Sequence, residues 1–140
     1  MSQKRIIGKR EIVSILDLEL FDLDAKVDTG ADSNSLHCDD IYIDDENFVH
    51  FTLLDKVHPA YHTKKMKMPL HKLKRVKSSN GTVQLRASIK IDMLFFGKKY
   101  RTVVSLTNRS DMKYPMLIGR KFLANRFLVD VSQEYLTKAI

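Results

Sequence analysis

Hydrophobic and polar residues alternate with a period of two along much of this chain, which is the pattern of β-strands with one buried face. The clearest case is residues 76–91, where runs of alternating residues flank an Asn80-Gly81 pair. Asn-Gly between two such runs is a strong hairpin signal. Residues 11–20 predict a strand, a turn and another strand. Further strands are predicted at residues 23–27, 41–43, 48–54, 99–106, 114–119 and 127–132.

Two segments depart from the strand pattern. Residues 120–127, RKFLANRF, predict a short helix near the C-terminus, and residues 95–98, FFGK, predict a turn between two strands. Short strands separated by frequent turns are typical of closed or partly closed β-barrels. The sequence therefore predicts an all-β barrel with one short helix.

Length and composition indicate one globular domain over residues 1–140, because 44% hydrophobic residues suffice for a core. No apolar run approaches the length of a membrane span. Glu11, Asp17 and Glu19 interrupt the apolar stretch after the basic N-terminus, which argues against a signal peptide. The single cysteine, Cys38, cannot form an internal disulfide, and a buried thiol is expected there. A reducing compartment, the cytoplasm, is the expected location.

The net charge of +7 is unevenly distributed. Residues 39–46 are acidic, whereas residues 56–77 are strongly basic and contain two prolines that disfavour a continuous helix. An irregular basic insertion or a long loop is therefore predicted at about residues 55–77. Such a stretch is a solvated face, or it attracts acidic proteins or nucleic acid. No aromatic RNA-binding signature or helix-turn-helix pattern accompanies it, so a nucleic-acid partner is not expected.

Two motifs carry the candidate chemistry. AKVDTGADSNSLH, residues 25–37, places Asp28 at the head of a glycine-bearing turn, and by itself this predicts only a turn-capping aspartate. PMLIGRKFL, residues 115–123, fits many strand-to-helix junctions by itself. Together, the two motifs resemble the retropepsin-like aspartic proteases.

The resemblance covers nearly the whole chain and is weakest over residues 55–74. It extends through GKREIVSILDL, VKSSNG, SLTNRSDMKYPMLIGRKFL and RFLVDVSQEYL. The chain is similar to the small bacterial retropepsin-like proteins that carry the label ATP-dependent zinc protease. The resemblance implies an aspartic peptidase fold and activity, and an association with glutamate-ligase-type ATP-grasp enzymes.

The resemblance implies that Asp28, Thr29 and Gly30 form a catalytic turn. Peptide hydrolysis needs a base for the attacking water and an acid for the leaving amine. Two adjacent carboxylates sharing one proton supply both. The chain has one Asp-Thr-Gly, so a homodimeric endopeptidase is predicted, with Asp28 from each subunit at the two-fold axis and the Thr29 hydroxyl reaching across.

The resemblance implies further roles for six residues: substrate binding for Ala31, Asp32, Asn80 and Gly81, and structural support of the site for Gly119 and Arg120. Asn80-Gly81 would be the tip of a flap over the cleft, or else a plain hairpin turn. Gly119 would let a strand pass closely behind the turn, and Arg120 would begin the helix and form an ion pair. Similar proteins usually carry Arg or Lys followed by Thr where Asp32 and Ser33 stand here.

The family label mentions zinc and ATP, but the residues do not support either. Among the five histidines there is no His-Glu-x-x-His, and Pro59 separates His58 from His62. No phosphate-binding glycine loop is present. We therefore expect no metal and no cofactor. The basic segment and the family context suggest acidic or glutamate-rich substrates. The alternatives are a non-catalytic peptide-binding or regulatory module that partners an ATP-grasp ligase, and a zinc-dependent hydrolase.

Overall fold

The computed structural model describes residues 3–53, 62–77, 80–108 and 113–139. Nearly all regular structure in these ranges is β-strand, with one α-helix and two short 3-10 helices at Leu16–Leu18 and Leu136–Ala139. The strands and the helix are β1 (Arg5–Ile7), β2 (Arg10–Ile15), β3 (Leu20–Val27), β4 (Asn34–His37), β5 (Asp39–Ile43), β6 (Phe48–Thr52), β7 (Lys65–Pro69), β8 (Lys72–Lys77), β9 (Val83–Phe95), β10 (Lys98–Thr107), β11 (Met116–Ile118), α1 (Arg120–Leu123) and β12 (Phe127–Val129).

Six strands close into a barrel in the order β10-β4-β11-β3-β2-β9, and an antiparallel β9–β10 pairing completes the ring. Strand β8 extends the sheet beyond the barrel by pairing with the first part of β9. A separate three-stranded sheet has the order β5-β6-β7, and β1 pairs in parallel with β12. The predicted all-β barrel with one short α-helix is confirmed.

The core is built from alternating positions of the barrel strands. In β9, every second residue from Ala87 to Phe95 is buried, as period-two side-chain geometry requires. The Phe95 ring packs edge-to-face against Phe122 of α1 and Phe127 of β12, with ring centroids 6.1 and 5.3 Å apart. These contacts fix α1, and with it the segment after β11, against the end of the barrel.

The hairpin predicted within residues 76–91 is confirmed, since β8 and β9 pair from Lys72↔Ser88 to Lys77↔Val83. This pairing defines the arm, which consists of β8 and residues 83–88 of β9. The strand–turn–strand prediction for residues 11–20 is also confirmed, because the 3-10 helix at Leu16–Leu18 separates β2 from β3. The predicted turn at residues 95–98 connects β9 to β10.

The prediction that the basic segment is irregular is wrong for residues 65–69 and 72–77, which form β7 and β8. In β7, Met66 and Met68 pack against the core while the alternate lysines face outward, so the strand is amphipathic despite its charge. Pro69 is tolerated because it is the last residue of this edge strand. Residues 54–61, which include His58 and Pro59, lie outside the described residues.

Within the described ranges, no helix has the length and apolar character that crossing a membrane requires.

Candidate active site

Strand β3 delivers Asp28 to the end of the barrel. Leu23, Ala25 and Val27 point into the core, so the chain leaves the sheet immediately after a buried residue. The Asp28 amide donates to the Ile118 carbonyl at 2.9 Å, which continues the parallel β3–β11 pairing by one more bond. The position of the turn is therefore set by the neighbouring strand.

The Asp28 carboxylate sits inside its own turn. Its Oδ1 accepts the Gly30 amide at 3.0 Å, and the Asp28 carbonyl accepts the Ala31 amide at 3.1 Å. Gly30 does not take a positive φ angle, but a Cβ at this position would lie 3.3 Å from Asp28 Oδ1. The absence of a side chain at Gly30 therefore leaves space beside the carboxylate.

Strand β11 crosses between the two strands that the turn connects. It runs parallel to β3 and antiparallel to β4, with Met116 opposite both Ala25 and Leu36. At the end of the crossing, a Cβ on Gly119 would lie only 2.5 Å from the Ser33 carbonyl oxygen. Only glycine allows the two segments to approach so closely.

Helix α1 begins beneath the turn and is tied to it. The Arg120 amide donates to the Ala31 carbonyl at 2.8 Å, and the Lys121 amide donates to the Asp32 carbonyl at 3.1 Å. Free amides at a helix start are thus satisfied by the turn. The Asp32 carboxylate bridges Arg120 Nη2 at 3.4 Å and Lys121 Nζ at 3.3 Å. Hydrogen bonding to Lys121 is the main cause of a lowered pKa for Asp32.

The structure therefore unites seven of the sequence-predicted site residues through direct contacts or adjacency in the turn: Asp28, Thr29, Gly30, Ala31, Asp32, Gly119 and Arg120. Thr29 is exposed, and within the described part of the chain its hydroxyl makes no hydrogen bond. Asn80 and Gly81 lie at the exposed tip of the arm, where Gly81 has a φ of +86° and Asn80 Oδ1 accepts the Thr82 amide.

A cavity of about 380 Å³ lies beside the turn, between the arm and the barrel. Ser33 and Asn34, which follow the turn, form part of its wall. Its lining includes an unusual density of cationic side chains, contributed by β8, β9, β10, α1 and the segment after α1: Lys72, Lys74, Arg86, Arg101, Lys121 and Arg126. We refer to it as the basic cavity. Its cations are far apart in the sequence. Only the basic run that forms β8 indicated from the sequence that such a surface exists.

A match to a known protein family over nearly the whole chain identifies the family of this protein. A family model described as "Retropepsin-like aspartic endopeptidase RimB" matches residues 6–139. The chain belongs to the RimB-like family. The suspected retropepsin-like relationship is thereby confirmed.

Relatives of this RimB-like protein carry a different name. A protein of Shewanella halifaxensis is 32% identical over 139 residues, covering 94% of this chain and 30% of its own length. One of Parasynechococcus marenigrum is 30% identical over 137 residues, covering 93% and 28%. Both are named "Probable alpha-L-glutamate ligase". The chain thus spans about a third or less of these curated relatives, and the ligase name describes the longer proteins.

A solved structure has the same fold over the full chain. The crystal structure of Lpg0085 from Legionella pneumophila, a protein of unknown function, superposes with a TM-score of 0.76 at 27% identity. The alignment covers 96% of the RimB-like chain and 99% of Lpg0085.

The histidines of the RimB-like chain that the structure describes are dispersed. His62 Nε2 donates to the Leu18 carbonyl at 2.8 Å, His50 Nε2 contacts Asp44 at 2.8 Å, and His71 lines the basic cavity. In the described ranges, no group of three or more His, Cys, Asp or Glu side chains is arranged to hold a metal ion. His58 lies outside them.

Proposed function

We propose that this RimB-like protein is a homodimeric aspartic-type endopeptidase that cleaves acidic, glutamate-rich peptides. The observation that carries the proposal is the Asp28 turn. A strand delivers it, a crossing strand holds it from behind, and its carboxylate is fixed by the Gly30 amide at 3.0 Å. The family match to retropepsin-like aspartic endopeptidases supports the same chemistry.

The proposed reaction needs Asp28 from two subunits. One carboxylate accepts a proton from water while the water oxygen attacks the peptide carbonyl carbon. The other carboxyl group, protonated at the start, donates to the carbonyl oxygen. Collapse of the resulting diol breaks the C–N bond as the nitrogen takes a proton from the pair. The exposed Thr29 hydroxyl is available to bond across the two-fold axis.

The basic cavity supports the proposed substrate class. Its cations lie next to the turn, and the Asp32 carboxylate, which follows the turn, contacts Lys121 of the cavity lining at 3.3 Å. A peptide bearing several carboxylates would be attracted to this surface and held across it. In this proposal the tip of the arm, Asn80-Gly81, acts as a flap over the bound peptide.

The names of the relatives suggest the source of such a peptide. Both are named "Probable alpha-L-glutamate ligase", and the chain matches about a third or less of their length. We propose that this protein works in the cytoplasm beside an ATP-grasp glutamate ligase.

The test compares wild type with Asp28→Asn on a glutamate-rich peptide, with chain mass followed by sedimentation equilibrium. We expect a dimer, and a loss of cleavage of about 10³-fold in the variant with an unchanged melting temperature. Asp22→Asn is the matched control, because Asp22 is an exposed carboxylate on β3, the strand that precedes Asp28. Cleavage that survives Asp28→Asn would overturn the proposal, as would a monomer at every concentration with peptide present.

A second candidate is a peptide-binding module without catalysis. The basic cavity favours it, because these cations would hold an acidic peptide whether or not Asp28 acts on it. Stable binding of the intact peptide by the wild-type dimer, with no product after prolonged incubation, would identify this function.

A further inference from the structure

Asn34 is a buried polar residue close to the turn, and it lies within the first motif, where the sequence predicted no role for it. It is 3% exposed and is the first residue of β4. Its Oδ1 accepts the Gly119 amide at 3.0 Å, and its Nδ2 donates to the Val103 carbonyl at 3.1 Å and to Thr102 Oγ1 at 3.2 Å. The amide orientation is determined, because a backbone N–H only donates and a backbone carbonyl only accepts.

The Gly119 amide and the Ile118 carbonyl belong to the same peptide group. Ile118 O accepts the Asp28 amide at 2.9 Å, while Gly119 N–H donates to Asn34. A peptide group is planar and rigid, so fixing its N–H also fixes the direction of its C=O. The Asn34 side chain therefore controls the acceptor that holds the backbone of Asp28.

We propose that Asn34 is a positioning residue for Asp28, acting through the peptide group between Ile118 and Gly119. The chain of bonds runs from β10 through the Asn34 amide to that peptide, and from there to the Asp28 amide. Each bond polarises the next, so the chain behaves as a unit. The catalytic part of the inference rests on the proposed peptidase function, whereas the structural coupling does not.

The hydrogen bonds that link Asn34 to the Asp28 backbone also reach the wall of the basic cavity. Asn34, Thr102 and Val103 all line it. A peptide pressed against this part of the wall contacts the same residues that hold the Asn34 amide in place. Asn34 thus connects the surface that would receive an acidic peptide to the backbone of the residue that would cleave it.

The experiment measures the kcat and KM of Asn34→Ala together with amide hydrogen exchange. We expect kcat to fall about 10- to 100-fold with a smaller change in KM, because a displaced catalytic group loses rate more than affinity. Exchange of the Asp28 amide should accelerate about 10-fold or more, as expected for a buried hydrogen bond left without its support.

Two further variants separate positioning from stability. Thr52→Val removes a buried hydroxyl that donates to the Asp39 carbonyl and Asp40, in the separate β5-β6-β7 sheet. It should lower the melting temperature without changing kcat or Asp28 exchange. Asn34→Asp keeps an acceptor for Gly119. Its kcat relative to wild type should rise as the pH falls, because the introduced carboxyl group, once neutral, can also donate to the Val103 carbonyl.

If Asn34→Ala lowers only the melting temperature, and leaves both kcat and Asp28 exchange within twofold of wild type, Asn34 is merely structural and the inference is wrong. If wild type cleaves nothing, the proposed peptidase function fails, and the exchange measurement still decides whether Asn34 holds the Asp28 backbone.

Discussion

The Asp28 turn and the arm are held by opposite means. The turn is bonded through its backbone to β11 and α1, and the Gly119 amide between these two elements donates to the side chain of Asn34 at the buried start of β4. The arm is a two-stranded ladder, and among the described residues β8 pairs with β9 alone. Strand β9 joins the arm to the barrel, since its residues 87–89 are buried in the barrel whereas residues 83–85 are exposed. The Asp28 turn, which needs fixed geometry, is held by packed elements, whereas the lysines of the arm, which act by charge, lie on an exposed hairpin.

The arm itself has two different faces. Residues directly opposite in an antiparallel pair share a face, so Lys72 and Lys74 lie with Ser88 and Arg86 toward the basic cavity. The other face carries Arg75 and Lys77 between apolar residues, including Leu73 and Leu85, which are 46% and 65% exposed. One strand thus offers two pairs of cations that carry equal charge and face in opposite directions.

The largest effect is expected where the turn region is most tightly packed. In Gly119→Ala, the added methyl group would lie 2.5 Å from the Ser33 carbonyl oxygen. The atoms it meets belong to the Ser33 backbone, which cannot move aside as a flexible side chain could. We expect the free energy of unfolding to fall by about 3 kcal/mol or more, measured by urea denaturation. Gly97→Ala is the control, because its methyl group meets nothing within 4 Å and carries only the penalty of a +73° φ angle, about 1–2 kcal/mol. Equal losses in the two variants would mean that the crossing is not tightly packed.

A smaller effect, on substrate affinity, is expected from the arm. Lys72→Gln with Lys74→Gln should raise the KM for a glutamate-rich peptide about 10-fold at low salt, since each exposed cation contributes about 0.7 kcal/mol near a carboxylate. The difference in KM between this variant and wild type should become smaller as salt is added. The control is Arg75→Gln with Lys77→Gln, which removes the same charge from the other face. If both pairs raise the KM equally, net charge alone attracts the substrate and the basic cavity is irrelevant.

The smallest effect is expected in the acidic β5–β6 hairpin, where, in the described part of the chain, the half-buried carboxylate of Asp44 is held only by contacts within the hairpin. His50, followed by the Phe48 amide, lowers the pKa of Asp44 to about 2, against an ordinary value of 3.8. A pKa lowered by folding means that this stabilisation is complete above about pH 4 and is lost as the pH falls through 2. Asp44→Asn should therefore slightly lower the urea midpoint at neutral pH and flatten its decline between pH 4 and 2, with KM unchanged. A decline as steep as that of wild type would show that other carboxylates cause it.

The sequence by itself determined five of the six barrel strands, all except β4, and the location of the turn. Period-two alternation in β9 and the Asn80-Gly81 pair are local signals, because backbone geometry dictates them within a few residues. The Asp-Thr-Gly turn followed from its motif once a second motif supported it. That the chain carries one such turn, and so would need a second copy to form a carboxylate pair, was also readable from sequence alone.

Only the tertiary structure decided which distant residues meet. The basic run of residues 65–77 became β7 and β8 because Met66, Met68 and the partner strands β6 and β9 make pairing favourable despite the charge. The basic cavity combines cations from β8, β9, β10 and α1, and Asn34 reaches Gly119 across 85 positions of the chain. Such contacts produce no periodic pattern in the sequence, because they depend on the closure of the barrel and on the crossing of β11. Both involve residues far apart in the chain, and local propensity does not encode them.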